Sequence, residues 1–137
     1  MIEKKVVDYL KSRLTVPVGA QTPEGPPESY VVVERTGGGE KDGLRAAVLA
    51  IRCTASTLWS AIVLCNASVE VLKAMPEDVP NVFSARLESG PYNQTDTRTK
   101  SFRYTAIFRV YYIEEPSQPA LPAAPPEGEP NNEEAGT

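Results

Sequence analysis

The stretch "YVVVERTGGGEKDG" (residues 30–43) decides how this chain is read. Three β-branched residues run into Glu-Arg-Thr-Gly-Gly-Gly, and a charged segment ending in glycine follows. One reading is a phosphate cradle, which would make the protein a nucleotide-binding enzyme. The other is the tip of a β-hairpin. A Walker loop needs Gly-x-x-x-x-Gly-Lys-Ser/Thr opening a helix. Here Gly38 is followed by Gly39-Glu40-Lys41-Asp42, and the next segment, "GLRAAVLAIRCTAS", reads as a strand. No helix N-terminus is on offer to hold phosphate, and Glu40 and Asp42 would repel it. The dinucleotide fingerprint fails for the same reason. The stretch is therefore a hairpin: a strand over residues 30–35, a glycine-rich loop and a strand over residues 44–54. The glycines supply positive φ. Either the loop is plain surface, or its glycines permit close approach of another subunit.

Outward from the hairpin, the other elements follow from periodicity. "MIEKKVVDYLKSRL" places Ile2, Val6, Tyr9, Leu10 and Leu14 at helical spacing, widened by Val7. Thr15 and Pro17 end that helix. Residues 16–20 predict a short edge strand, and residues 22–29 a proline-stiffened link. In the strand over residues 44–54, Ala47, Leu49, Ile51 and Cys53 make one face, with Arg45, Val48, Arg52 and Thr54 on or near the other. "STLWSAIVLCNASVEVLKAM" predicts a second helix with Ser56 as N-cap. Its stripe is Leu58, Ile62, Cys65, Val69 and Leu72, with Trp59, Val63 and Met75 beside it, and Pro76 closes it. Residues 82–88 predict a strand and "SGPYNQTD" a loop. The last strand, "TKSFRYTAIFRVYYI", alternates Phe102, Tyr104, Ala106, Phe108, Val110 and Tyr112 with Arg103, Thr105, Ile107, Arg109 and Tyr111.

The order α-β-β-β-α-β-β segregates helices from strands. It predicts an α+β fold: a mainly antiparallel sheet of about four to five strands packed against two α-helices. Residues 1–113 form the folded unit. Residues 114–137, "EEPSQPALPAAPPEGEPNNEEAGT", hold six acidic residues, no basic ones and no aromatics. Such a composition predicts a disordered, proline-rich acidic tail. The chain as a whole carries −4, so the acidity belongs to the tail and the rest is weakly positive. That is no strong nucleic-acid footprint.

Composition also excludes chemistry. The chain has no histidine, so Ser-His and Cys-His nucleophile arrangements are impossible. No Ser-x-x-Lys occurs. The paired carboxylates (Glu34 and Glu40, Glu77 and Asp78, Glu88 and Asp96) sit in no apolar pocket that would raise a pKa. No carboxylate cluster suits a metal. The reading is a non-enzyme with no catalytic, cofactor or metal residues. Cys53 and Cys65 form neither a zinc spacing nor a CxxC motif, and they read as buried reduced thiols. The N-terminus lacks the apolar core of a signal peptide, and no apolar run spans a bilayer. Asn66-Ala-Ser and Asn93-Gln-Thr match a glycosylation pattern that carries no weight without such a signal. Arg45, Arg52, Arg103 and Arg109, with Tyr111, Ile107 and Val48 among them, outline the sheet face away from the helices. That face is either a solvated, salt-bridged surface, an inter-subunit contact, or a wall that nucleic acid passes without sequence readout.

Taken in order, four features resemble a family. They are the N-terminal helix with its link "VPVGAQTPEGPPESY", the strand and glycine segment "YVVVERTGGGEKDG", the helix "STLWSAIVLCNASVEVLKAM", and "SGPYNQTDTRTKSFRYTAIFRVYY". The chain is similar over residues 1–113 to the small neck proteins of long-tailed bacteriophages and prophages, called tail terminator, tail completion or minor capsid proteins. The resemblance implies an α+β subunit in a ring, usually a hexamer, in the virion at the head–tail junction. Such a ring caps the tail tube and meets the head completion or connector proteins, and DNA passes through it without specific binding. It implies no catalytic residue, no cofactor and no membrane. On this reading Arg35, Thr36, Gly37, Gly38, Gly39, Glu40 and Lys41 form an assembly loop. Arg45, Arg52, Arg103, Arg109 and Tyr111 serve the ring interface or lumen. The alternatives are a neighbouring head–tail connector protein and a non-viral α+β binding adaptor. The acidic tail is a departure from the family.

Overall fold

A computed structural model describes residues 1–114; the tail expected over residues 114–137 lies outside them except for Glu114. Five strands form one mixed sheet: β1 (Val18–Gly19), β2 (Tyr30–Lys41), β3 (Leu44–Ala55), β4 (Val82–Asn93) and β5 (Phe102–Tyr112). Their order across the sheet is β1-β2-β3-β5-β4. Only the β1–β2 pair is parallel; the other three are antiparallel. Three helices, α1 (Ile2–Arg13), α2 (Leu58–Lys73) and the single turn α3 (Met75–Asp78), complete the α+β fold.

The alternation in β3 and β5 separates the two sheet faces. Ala47, Leu49, Ile51 and Cys53 lie beside Val110, Phe108, Ala106 and Tyr104; the first seven of these are fully buried, and Tyr104 packs against the cluster from its margin. Ile2, Val6, Tyr9 and Leu10 of α1 close over them with Val31 and Val33 of β2. Burying a Leu, Ile or Phe side chain stabilises by about 1.5–3 kcal/mol, so this cluster is the main source of stability. Leu14 leaves helical geometry at φ −107° and ψ 154°, and its N–H still reaches the Leu10 carbonyl. Pro17 then prevents the helix from resuming.

The packed stripe of α2 keeps the expected Cys65, Val69 and Leu72 but not Leu58. Ala61, Cys65, Ser68, Val69 and Leu72 face the sheet. Leu58, Trp59 and Val63 are 41%, 73% and 49% exposed. Small side chains at 61, 65 and 68 let the helix backbone approach the sheet closely, which turns the larger residues outward. Ser68 Oγ donates back to the Leu64 carbonyl at 2.9 Å and accepts from the Cys53 thiol at 3.6 Å. The N-cap is Thr57, not Ser56: its side chain accepts from the Ser60 N–H. Pro76 does not end the helical region but stands in the first turn of α3, where its missing N–H costs nothing.

Charged contacts fasten the termini of these elements. Asp78 Oδ2 accepts from the Tyr9 hydroxyl at 2.6 Å and from Arg13 Nη2 at 3.1 Å. These bonds hold the Asp78 carboxyl below its usual range, Tyr9 contributing most. Burial, then the same bond, pushes the Tyr9 phenol up. Glu114 lies 3.9 Å from both the Met1 ammonium and Arg45, tying the start of α1 to the end of the sheet.

Candidate assembly surface

The glycine segment is strand, not loop. β2 continues to Lys41, and Gly37, Gly38, Gly39, Glu40 and Lys41 pair with Val48, Ala47, Ala46, Arg45 and Leu44. A bulge at Thr36, between Arg35 and Gly37, shifts the register. The turn itself is only Asp42 and Gly43, with φ 54° and 85°. Two successive positive φ values make the tight two-residue turn that Asp-Gly favours. The expected loop over residues 36–42 is thus corrected: β3 offers a continuous partner, so ladder hydrogen bonds outweigh the low strand preference of glycine. Residues 89–93 of the expected second loop are likewise strand, the end of β4.

The three glycines are not equivalent. Gly38 has φ 139°, and a β-carbon there would overlap the Ala46 carbonyl and stand 2.9 Å from Arg35 Nη2. Arg35 donates from Nε to the Gly37 carbonyl at 3.2 Å and from Nη2 to the Ala46 carbonyl at 3.5 Å, so its guanidinium spans the bulge. At Gly37 a β-carbon would make ordinary contact with Val48 at 3.8 Å, and at Gly39 it would meet open space. The fold requires glycine at 38 alone.

Gly37 and Gly39 share the face of Val48 and Ala46, away from the helices. Gly39 and Ala46, with Glu40, Lys41, Leu44 and Tyr111, line a shallow, mainly apolar hollow of about 300 Å³. This bare strip lies along the end of the sheet nearest the Asp42–Gly43 turn.

Further along the same face stand two ion pairs. Arg52 pairs with Glu34, and Arg109 Nε donates to Glu88 at 2.5 Å. The Glu88 bond raises the pKa of Arg109 further still. Arg103 donates Nε–H to the Gln94 carbonyl at 3.2 Å. Arg45 departs from the expected grouping: it shares the side of Ala47 and Leu49, opposite Glu40, and pairs with Glu40 at 3.4 Å. The structure therefore brings Arg52, Arg103, Arg109 and Tyr111 onto one face and leaves Arg45 and Arg35 on the other. Ile107 and Val48 lie among the first group, half-buried.

Two surface features had no place in the sequence reading. Trp59 and Val63 with Leu14, Val16 and Leu64 line a groove of about 460 Å³, and Phe83 on β4 is 57% exposed. The helical wheel gave no sign of the first, because a stripe of Leu, Trp and Val is the usual mark of a buried face. Among the described residues no group of three His, Cys, Asp or Glu side chains could hold a metal, and no helix is long and apolar enough to cross a membrane.

No family model matches the chain, and no curated protein does. Among solved structures it is similar to a chain in the virion of a native gene transfer agent (GTA) particle. The TM-score is 0.60 at 13% identity, over 80% of this chain and 92% of that one. At that identity the likeness shows a shared fold.

Proposed function

We propose that the chain is a structural virion protein of the phage type: a ring-forming tail terminator or tail completion subunit at the head–tail junction. The observation that carries this reading is the bare strip of Gly37 and Gly39. The fold tolerates side chains at both positions, yet both lack them on an apolar, uncovered sheet face. Close approach of another chain accounts for that, since a missing β-carbon lets a neighbouring backbone draw near. The shared fold with a gene transfer agent virion chain supports the same reading.

The mechanism is geometric rather than catalytic. Copies meet through different patches, so the contact repeats head to tail and closes into a ring, with six copies as the expected number. One side of the ring caps the tail tube protein, and the other receives the head completion or connector proteins. DNA crosses the hole without sequence readout, in keeping with the mixed charges of Arg52–Glu34 and Arg109–Glu88. The protein takes no cofactor and no membrane.

The test is the solution mass by light scattering over a concentration series, alone and with purified tail tube protein, followed by negative-stain imaging. A six-copy ring with a central hole is expected, and Gly37→Val with Gly39→Val should abolish it while the circular dichroism stays native. A chain that remains monomeric under both conditions overturns the reading.

A further inference from the structure

At the end of the open face farthest from the hairpin turn, Tyr30, Thr54 and Arg103 stand side by side on β2, β3 and β5. The registers pair Tyr30 with Thr54 and Thr54 with Arg103. All three line two adjoining hollows of about 350 and 300 Å³.

Thr54 is 6% exposed, and its hydroxyl makes no hydrogen bond among the described residues. The other two buried Ser and Thr hydroxyls are satisfied. Ser68 donates to the Leu64 carbonyl at 2.9 Å, and Thr105 donates to Gln94 Oε1 at 2.7 Å. A buried hydroxyl without a partner is costly, so Thr54 calls for a group that the chain itself does not supply.

Arg103 stands next to it. The bond from its Nε to the Gln94 carbonyl at 3.2 Å fixes the guanidinium plane, and among the described residues its two terminal nitrogens have no acidic partner. The nearest acids are engaged elsewhere. Glu34 pairs with Arg52, and Asp96 accepts from Arg98 through both carboxylate oxygens, at 3.1 and 3.0 Å. Asp96 also feels the charge of Arg103 across the hollow, but no acid among the described residues forms an ion pair with it, so its terminal nitrogens stand open beside a buried hydroxyl and an aromatic wall. Guanidinium nitrogens in a fixed plane suit the oxygens of a carboxylate or phosphate.

We propose that this hollow binds one compact oxyanion, held by the terminal nitrogens of Arg103 and the hydroxyl of Thr54. The chemistry is common to phosphate and carboxylate. Glu34 and Asp96 on the rim set negative charge against any extended polyanion, which favours a single anionic group over a nucleic-acid backbone. The site is independent of the assembly proposed above, since all its residues belong to one chain.

The test is a heteronuclear NMR titration of the full chain with inorganic phosphate and, in a parallel arm, with acetate, chloride holding the ionic strength constant. Saturable shifts at the amides of Tyr30, Thr54 and Arg103 are expected. Arg103→Gln should abolish them, and Thr54→Val should weaken binding about tenfold, the loss of one charge-assisted hydrogen bond. Saturation by one anion and not by the other supports the site and names its ligand class. Thr54→Val serves as its own control: it removes an unpartnered hydroxyl, so the variant should melt no lower than the parent. No saturation by either anion, or saturation that Arg103→Gln leaves intact, overturns the proposal. A markedly lower melting temperature for Thr54→Val overturns it too, because the hydroxyl would then have a partner within the protein. None of these outcomes alters the expected solution mass, so the ring stands or falls separately.

Discussion

The carbonyl of Ala46 occupies the place where a β-carbon on Gly38 would lie. That single relationship separates a structural glycine from two glycines that the fold leaves free.

Substitution should therefore divide the triplet. Gly38→Ala forces an alanine to φ 139° against a backbone oxygen and should cost about 1–3 kcal/mol or more. Gly37→Ala and Gly39→Ala should instead raise stability by about 0.4–1 kcal/mol, through the reduced freedom of the unfolded chain. Urea denaturation of the three variants checks this, and equal losses at all three positions would refute the distinction.

Asp78 predicts a pH dependence. Its carboxyl is held down by Tyr9 and Arg13 in the folded protein, so it binds a proton less readily folded than unfolded. The stability it adds is present above the ordinary carboxylate value of about 3.9 and fades as pH falls through the lower folded value. Asp78→Asn should thus be less stable than the parent at pH 7, with the gap closing as the solution is acidified below that range. Thermal melts of both proteins from pH 7 to pH 2 measure it; a gap that stays constant over that range would remove the linkage.

Trp59 is the sole tryptophan and is 73% exposed. Its emission should resemble that of free indole in water and be quenched readily by iodide. Trp59→Ser should change stability by no more than about 0.5 kcal/mol. A blue-shifted, unquenchable emission from the dilute monomer would contradict the outward turn of the helix.

Cys53 and Cys65 are buried, free and in contact across the α2–β3 interface. The Cys65 contact, with burial, pushes the Cys53 thiol well up, and a protonated thiol is a poor nucleophile. The same contact draws the Cys65 thiol down, so there burial alone keeps the reagent out; both should resist alkylation in the native protein at neutral pH and react fully in urea. Mass spectrometry after brief iodoacetamide treatment counts them, and rapid native labelling of either would be the contrary result.

How much of this was legible in the sequence varies from element to element. The alternation in residues 102–112 is unbroken, so both faces of β5 could be read directly. The core positions of β3 follow in the same way, but the charge of Arg45 points to the open face while its odd-numbered position puts it beside Ala47 and Leu49. The glycine segment departs from its loop-like composition for a different reason. Strand preference reports how side chains pack, and glycine has none, yet a backbone ladder forms wherever a partner strand is present. The hairpin signal lay in Asp42-Gly43, two residues beyond the more conspicuous triplet. In α2, size misled: Leu58, Trp59 and Val63 look like core, whereas Ala61, Cys65 and Ser68 gain their place by letting the helix come close. The hollow at Thr54 could not be foreseen at all. It depends on which residues of three strands come abreast, and register is a property of the pairing rather than of any one strand.

The two borders of the sheet are unlike. On one side β1 covers only Val31 and Val32, so β2 from Val33 to its turn has no neighbour on its outer flank among the described residues. On the other side β4 breaks step with β5 three times and carries Pro91, which has no N–H to offer. One margin can accept a further strand and the other resists it. Lateral growth of this sheet therefore has a preferred direction, with the β2 side the more open to an added strand.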